Sequence, residues 1–276
     1  RSPKGRGKKV LPTPVKEKAV ELGLEIFQPK NVNSKESINK LREIEPDFIV
    51  VAAYGQILSR EVLSIPKYGC INIHASLLSK YRGAAPINWA IINGERETGV
   101  TTMKMDSGID TGDILLQESI EIGTEDDSVT ICEKLSNLGG KLVVKTLDGI
   151  KNNTLIPKKQ DQSKATYAPM INKSMGRIDW NKEGNQIVNL VRGLKPWPFA
   201  YTFYGKDNVK IHKAKAIDKI YDGINGEIVH VSDEGAFVIA SDSCVIIEEL
   251  QFPGKKRMPV REFIKGNPIE KGIILK

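Results

Sequence analysis

The sequence predicts an α/β protein, with a doubly wound, Rossmann-like parallel sheet followed by a small OB-like β-barrel. Three observations carry that prediction. Short β-branched runs alternate with helix-period stretches through the first 150 residues, as in a sheet with helical crossovers. The run 48–53 is apolar without alternation, the mark of a parallel strand buried on both faces. From Pro198 onward the pattern changes to short strands broken by turn residues, which suits a small barrel.

Each element has a local reason. Thr13 is placed to cap a helix with Pro14 at its first position and Gly23 beyond its end. A short strand is expected over 24–27. Ser34 caps a second helix with Ile38, Leu41 and Ile44 on one face, stopped by Pro46. After the strand at 48–53 come a loop and short helix over 55–63, then a strand at 71–73. Pro86 starts a helix that Gly94 closes. Strands at 99–105 and 114–122 flank an acidic, glycine-containing loop over 106–113. Thr124, with Asp127 three residues on, opens a long amphipathic helix through Val129, Cys132, Leu135, Leu142, Val143 and Leu147. Periodicity then fades into a polar stretch over 151–170, and a helix is expected over 185–194. Barrel strands are expected at 201–204, 209–214, 226–231, 236–240 and 244–250. The organisation expected is a catalytic domain over 1–170, a linker and helix over 171–203, and a barrel over 204–276. The chain begins with Arg1 and opens on a loop, whereas an α/β domain normally opens on a buried strand. An opening strand and helix are therefore expected to be missing from this sequence.

Composition narrows the function classes. The 276 residues, 40% hydrophobic and 27% charged, are those of a globular chain with length for a sizeable core. No apolar run approaches the roughly 20 residues of a membrane helix, so no membrane association is expected. Cys70, Cys132 and Cys244 are far apart and form no Cys-x-x-Cys pair. They read as reduced core thiols of a cytoplasmic protein, neither a disulfide framework nor a metal site. The net charge of +7 is unevenly placed. Residues 1–18 hold seven basic side chains against one acidic, and residues 251–276 hold seven against two, leaving the remainder at −4. A near-neutral body with two basic ends points to a polyanionic partner.

The strand at 71–73 is where chemistry is expected. Side chains alternate along a strand, so Asn72 and His74 point one way while Ile71 and Ile73 point the other. An amide and an imidazole then stand side by side at a strand's carboxyl end, where open α/β sheets bind ligands. Such a pair can donate to a developing oxyanion, although polar residues at strand ends also serve simply to satisfy backbone groups. The loop Met105-Asp106-Ser107-Gly108-Ile109-Asp110-Thr111-Gly112-Asp113 invites a calcium reading. As an EF-hand it fails: the twelfth position from Asp106 is Gln117 where Glu is required, and the sixth is not glycine. No metal is expected. Asp110, close to Gly108 and Gly112, is placed to orient His74 or hold a proton-relaying water. The stretch Pro3-Lys4-Gly5-Arg6-Gly7-Lys8-Lys9 has neither dinucleotide-loop nor phosphate-loop spacing. It reads either as a disordered basic arm or as a loop that orders on a nucleic-acid backbone.

Several motifs together resemble the folate-dependent formyltransferase family: Asn-Ile-His-Ala-Ser-Leu-Leu from Asn72, Tyr-Arg-Gly-Ala-Ala-Pro-Ile from Tyr81, Thr-Gly-Val-Thr from Thr98, and Asp106 through Asp113. Within that family, Lys4-Gly5-Arg6-Gly7-Lys8-Lys9 and Lys195-Pro196-Trp197-Pro198 are similar to the branch that formylates methionyl-tRNA. The resemblance runs over nearly the whole chain and is weakest in the terminal barrel. It implies formyl transfer from 10-formyltetrahydrofolate to the α-amine of initiator methionyl-tRNA in translation initiation, by a monomeric cytoplasmic enzyme. It implies that Asn72, His74 and Asp110 are the catalytic trio. It further implies that Ser76, Leu77, Leu78 and Ser79 contact folate, that Gln56, Ile57 and Leu58 line a pterin pocket, and that Lys4, Arg6, Lys8 and Lys9 bind tRNA. Ala75 and Ser79 depart from residues the family often has as Gly or Pro, and Pro. Two rival readings stand beside it. One is a formyltransferase acting on a small amine, such as a purine precursor or an amino sugar. The other is a non-catalytic RNA-binding protein, which leaves Asn72, His74 and Asp110 unexplained.

Overall fold

The computed structural model describes residues 3–4, 9–10 and 12–276. Strands β1 (Pro3–Lys4) and β2 (Lys9–Val10) pair antiparallel. Arg6 and Lys8 of the basic loop lie outside the described residues, and Lys4 and Lys9 are described through their backbone alone. Helix α1 (Pro14–Glu21) starts as its sequence dictates: the Thr13 hydroxyl accepts from the Lys16 amide at 3.3 Å. The expected strand at 24–27 does not form. Leu24, Ile26 and Phe27 are 58%, 36% and 43% exposed, and a β-run without a hydrogen-bonded neighbour has nothing to hold it extended. Helix α2 (Lys35–Ile44) is capped by Ser34, whose hydroxyl accepts from the Ser37 amide.

The sheet that carries the site is mixed. Strand β3 (Ile49–Val51) is followed by α3 (Arg60–Leu63), β4 (Cys70–His74), β5 (Arg82–Gly83), α4 (Pro86–Ile92), β6 (Glu97–Lys104), β7 (Ile114–Glu121), α5 (Ser128–Lys151) and β8 (Tyr167–Ala168). The order is β3-β4-β6-β7, with β3 and β4 parallel and the other two pairs antiparallel. The α/β class stands, and the directions depart from a purely parallel sheet for a covalent reason. The loop between β6 and β7 is too short for a crossover, so that pair must be antiparallel; β6 also runs opposite to β4, to which it is joined through β5 and α4. β3 is shorter than its apolar run and lies at the sheet edge, with Val50 44% exposed rather than buried on both sides.

Helices cover both faces, as the alternation in β4 requires. Cys70 packs with Ile38 of α2 and Val62 of α3 on one face. Ile73 packs on the other, against Ile131, Leu135 and Leu142 of α5. The cap of α5 is Asp127, three residues beyond the expected Thr124: its carboxylate accepts from the Val129 and Thr130 amides at 3.0 and 3.1 Å. Cys132 is exposed on α5, contrary to its reading as a core thiol, whereas Cys70 and Cys244 are buried. Burial pushes the Cys70 thiol up to about 11. No helix of the described residues is long and apolar enough to cross a membrane.

After α6 (Gly184–Gly193), the chain forms β9 (Ala200–Tyr204), β10 (Asp207–Ile217), β11 (Ile228–Ser232), β12 (Gly235–Ile239), β13 (Cys244–Gln251), β14 (Met258–Pro259) and α7 (Val260–Phe263). All pairs are antiparallel, in the order β11-β12-β13-β10-β9 with β14 on β13. Residues 272–276 bridge the two outer strands. Their backbone bonds to Gly226 and Ile228 on one side and to Phe203 on the other. Ile187 and Val191 of α6 are buried in the same core as Val209, Val238 and Val245, and β9 starts inside the segment expected to link the halves.

The halves meet where α6 ends and α5 begins. Asn88 of α4 donates to the Gly193 carbonyl at 2.7 Å, and Arg192 donates to the carbonyls of Gly123 and Thr124. Lys195 Nζ lies 3.0 Å from Asp127 Oδ2, both side chains being mostly buried. Burial alone would raise the Asp127 carboxyl. The hydrogen bond from Lys195 and the amides of Thr130 and Val129 outweigh it and hold the group below its ordinary value. A carboxyl lowered by folding stabilises fully above its unfolded value of 3.8 and loses that contribution as pH falls through the folded value. Asp127→Ala, which removes cap and ion pair, is expected to destabilise the chain by about 1–2 kcal/mol near neutral pH. Asp127→Asn keeps a capping oxygen and should cost less. In urea unfolding at a series of pH values, the advantage of the native chain over Asp127→Asn should vanish only below the folded value; an advantage independent of pH refutes the ion-pair account.

Candidate active site

The carboxyl end of β4 brings Asn72 and His74 onto one face, as alternation requires, with Cys70 beneath them in the core. The chain then turns through 75–81, held from the neighbouring strands. Thr101 of β6 donates to the Ser76 carbonyl at 2.7 Å and accepts from the Leu78 amide. Gln117 of β7 donates to the Leu78 carbonyl at 2.7 Å and to the Thr101 hydroxyl. Ser76 is fully buried and its hydroxyl donates to the Lys80 carbonyl; Leu78 and Ser79 are also buried. Gly99 leaves room for Leu77, since a Cβ there would come within 2.5 Å of the Leu77 methyl.

Asp110 arrives from the loop between β6 and β7. Asp106 folds that loop by accepting from the Gly108 amide and the Thr111 hydroxyl. Gly112 crosses so close to β6 that a Cβ would stand 1.9 Å from the Lys104 carbonyl oxygen. Asp110 itself has φ +52°, a left-handed conformation that costs a non-glycine residue about 1–2 kcal/mol. Three contacts hold it there. The Gly83 amide donates to Oδ2 at 2.8 Å, the Asn72 amide group donates to Oδ1 at 3.3 Å, and Gln160 Nε2 donates to its carbonyl at 2.8 Å. At about 1 kcal/mol or more each, these outweigh the strain.

His74 is 6% exposed and its tautomer follows from its neighbours. Nε2 lies 2.9 Å from the Tyr81 carbonyl, which can only accept, so Nε2 carries a proton. Nδ1 faces Asp110 Oδ2 at 3.5 Å, longer than a hydrogen bond. The structure therefore joins all three residues around the Asp110 carboxylate. It differs from a simple pair of oxyanion donors, because Nε2 is already bound to backbone while Asn72, among the described residues, keeps one amide hydrogen unengaged. Tyr81, at φ +61°, is fixed through its hydroxyl, which donates to Glu95 at 2.8 Å. Burial, with Glu95 adding to it, pushes that phenol up to about 12.

The other expected residues are more dispersed. Gln56, Ile57 and Leu58 follow β3, the parallel neighbour of β4, at the same end of the sheet. Gln56 Oε1 accepts from the Val32 amide, Ile57 is 73% exposed, and Leu58 is buried against Ile38, Val62 and Cys70. Two cavities open beside the backbone groups that touch the trio. One, about 590 Å³, is lined by Leu77, Leu78, Ser79, Tyr81, Gln117 and Lys158 among others. The other, about 800 Å³, starts at Ala84, next to Gly83, and runs past Cys132 and Met170 to Lys195 and Trp197. No sequence signal marks Gln160, which lies in the polar stretch over 151–170, or the supporting parts of Thr101 and Gln117. Arg82 and Gly83 were visible only inside a motif.

Polar side chains gathered at the carboxyl edge of a mixed α/β sheet, with cavities nearby, mark the place where α/β enzymes bind their ligands. Residues 1–147 match the family model described as formyl transferase, and residues 170–268 match that of the formyl transferase C-terminal domain. The methionyl-tRNA formyltransferase of Clostridium acetobutylicum is 52% identical over 275 residues, which is 99% of this chain and 89% of that protein. Its counterpart in Caldanaerobacter subterraneus is 50% identical over 274 residues, 99% of this chain and 88% of that protein. Among solved structures, the sugar 3N-formyl transferase WlaRD has a TM-score of 0.64 at 24% identity, covering 87% of this chain and 81% of that one. HypX from Aquifex aeolicus has a TM-score of 0.62 at 21% identity and covers 87% of this chain, which spans only 44% of HypX. These two show a shared fold. The chain belongs to the formyl transferase family.

The packing at Gly112 makes a sharp prediction. Gly112→Ala should destabilise the chain by about 1–3 kcal/mol, because β6 backbone and not a flexible side chain meets the new methyl. Gly140→Ala, on α5 with nothing within 4 Å of the new methyl, should stabilise by roughly 0.5–1 kcal/mol. Urea titration of both variants checks the pair; equal shifts would contradict the close approach.

Proposed function

We propose that this chain transfers a formyl group from 10-formyltetrahydrofolate to the α-amino group of initiator methionyl-tRNA. The observation that carries the reading is the convergence of Asn72, His74 and Asp110 at the carboxyl end of β4, with one cavity opening beside Tyr81, which holds His74, and another beside Ala84, next to Gly83. Near-full-length relatives bearing the name methionyl-tRNA formyltransferase support the choice of acceptor. The donor belongs in the cavity bordered by Leu77, Leu78 and Ser79, whose 590 Å³ suits a small organic ligand; Gln56, Ile57 and Leu58, which follow β3 and do not line that cavity, are the residues proposed for the pterin. The acceptor belongs in the cavity that ends at Lys195 and Trp197. Residues 1–170 form the catalytic part in this reading, 171–203 the connection, and 204–276 the tRNA-binding barrel, with Lys4, Arg6, Lys8 and Lys9 on the acceptor arm. The protein acts as a cytoplasmic monomer.

10-Formyltetrahydrofolate supplies the formyl carbon and a nitrogen leaving group. The attacking amine has an ordinary value of about 7.7–8.0, so it needs little activation near neutral pH. Acyl transfer builds negative charge on the acyl oxygen, and the unengaged Asn72 amide hydrogen is the donor placed to meet it. Asp110 and His74 Nδ1 form the pair that receives the proton the amine loses and passes it to the leaving nitrogen. Tyr81 keeps the ring oriented by holding Nε2.

Formyl transfer to charged initiator tRNA, with a folate-free control and an amino sugar as competitor, tests the reading directly. His74→Ala and Asn72→Ala should each lower kcat by about 10²–10³ with little change in KM for tRNA. Near-normal turnover in His74→Ala would overturn the mechanism, and preference for the amino sugar would overturn the acceptor. Neutralising about six to ten phosphates should weaken tRNA binding roughly 10³–10⁵-fold between 50 and 200 mM salt. A flat salt dependence would remove the basic ends from the account.

A further inference from the structure

Arg82 is 1% exposed, and its hydrogen-bond partners among the described residues are amide oxygens. Nε and Nη2 both donate to Gln160 Oε1, at 3.1 and 2.6 Å, and Nη1 donates to Gln162 Oε1 at 2.9 Å. Burying a guanidinium against neutral partners is costly, and the trio's mechanism makes no use of it. We propose that Arg82 and Gln160 are positioning residues that hold Asp110 against His74 and Asn72.

Geometry supports this from two directions. The Arg82 guanidinium can only donate, so it fixes which end of the Gln160 amide faces it: the oxygen. The Gln160 amino group is then forced toward the loop, where it donates to the carbonyls of Asp110 and Gly112, each at 2.8 Å. A cation on the amide oxygen also polarises the amide and strengthens its N–H donors. The second route is the backbone. Arg82 is tied to Thr166 through its own amide, and the next residue, Gly83, donates to Asp110 Oδ2. One residue thus reaches Asp110 at its main chain through Gln160 and at its carboxylate through Gly83. β5, which carries Arg82, runs parallel to β8 as a separate two-stranded sheet and anchors that clamp to the chain entering the C-terminal half.

The inference rests on the reading of Asp110 as a reacting group, so its test has a readout independent of turnover. Gln160→Glu keeps an acceptor for Arg82 but cannot donate to the two loop carbonyls; Gln160→Met, of similar length and without polar atoms, is read the same way and guards against misfolding of the charged variant. The chain has three histidines, so the His74 ring resonance is assignable by comparison with His74→Ala. In either Gln160 variant that resonance should shift in the direction seen in Asp110→Asn, with His212 and His230 unmoved. kcat should fall about tenfold to a hundredfold while KM for tRNA changes little, and Gln160→Glu combined with Asp110→Asn should be no slower than Asp110→Asn alone. An unmoved His74 resonance with intact kcat, or losses that multiply in the double variant, would overturn the positioning role. A protein that formylates no tRNA while its His74 resonance still follows Gln160 overturns the assigned reaction and upholds the clamp.

Discussion

A carboxylate held in a backbone conformation it would not choose is the constraint on which the site depends. Asp110 sits at φ +52°, and each group that keeps it there belongs to a different part of the chain: Asn72 from β4, Gly83 from β5, Gln160 from the stretch after α5. A residue determined from three sides can keep strain that a free loop would relax. The same convergence explains the crowding at Gly112, where the loop lies against β6 so closely that no side chain fits. Rigid strands and one strained turn place the polar groups, and another of the loop's acidic residues, Asp106, folds the loop itself.

The second half of the molecule is coupled to this arrangement mechanically. Helix α6 buries its apolar side in the barrel core yet ends against α4 and the start of α5. Asp127 both caps α5 and pairs with Lys195, just before Pro196 and Trp197. The cavity beside Gly83 is walled by residues from both halves, so its width depends on that contact.

Much of this was legible in the sequence where local physics decides. Strand alternation placed Asn72 and His74 together, capping residues located α1 and α2, and turn signals found all five main barrel strands within a few residues. Legibility failed where a neighbour decides. The segment 24–27 has strand composition but no described partner, and β3 lost its outer residues at a sheet edge. Asp127 displaced Thr124 as cap because two amides reach its carboxylate. Gln160 was invisible because a glutamine in a Lys/Asn/Gln-rich stretch carries no periodicity; its meaning comes from a buried guanidinium 78 positions earlier. His74 was legible as a polar group at the right place, but its bond to the Tyr81 carbonyl depends on the left-handed turn at Tyr81.

The strip 272–276 has a consequence of another kind. By bonding to Phe203 on one side and to Gly226 and Ile228 on the other, it engages the amides of Phe203 on β9 and Ile228 on β11. Sheets with bare edges recruit one another. A barrel whose outer strands are partly covered in this way offers less bare backbone to such self-templating.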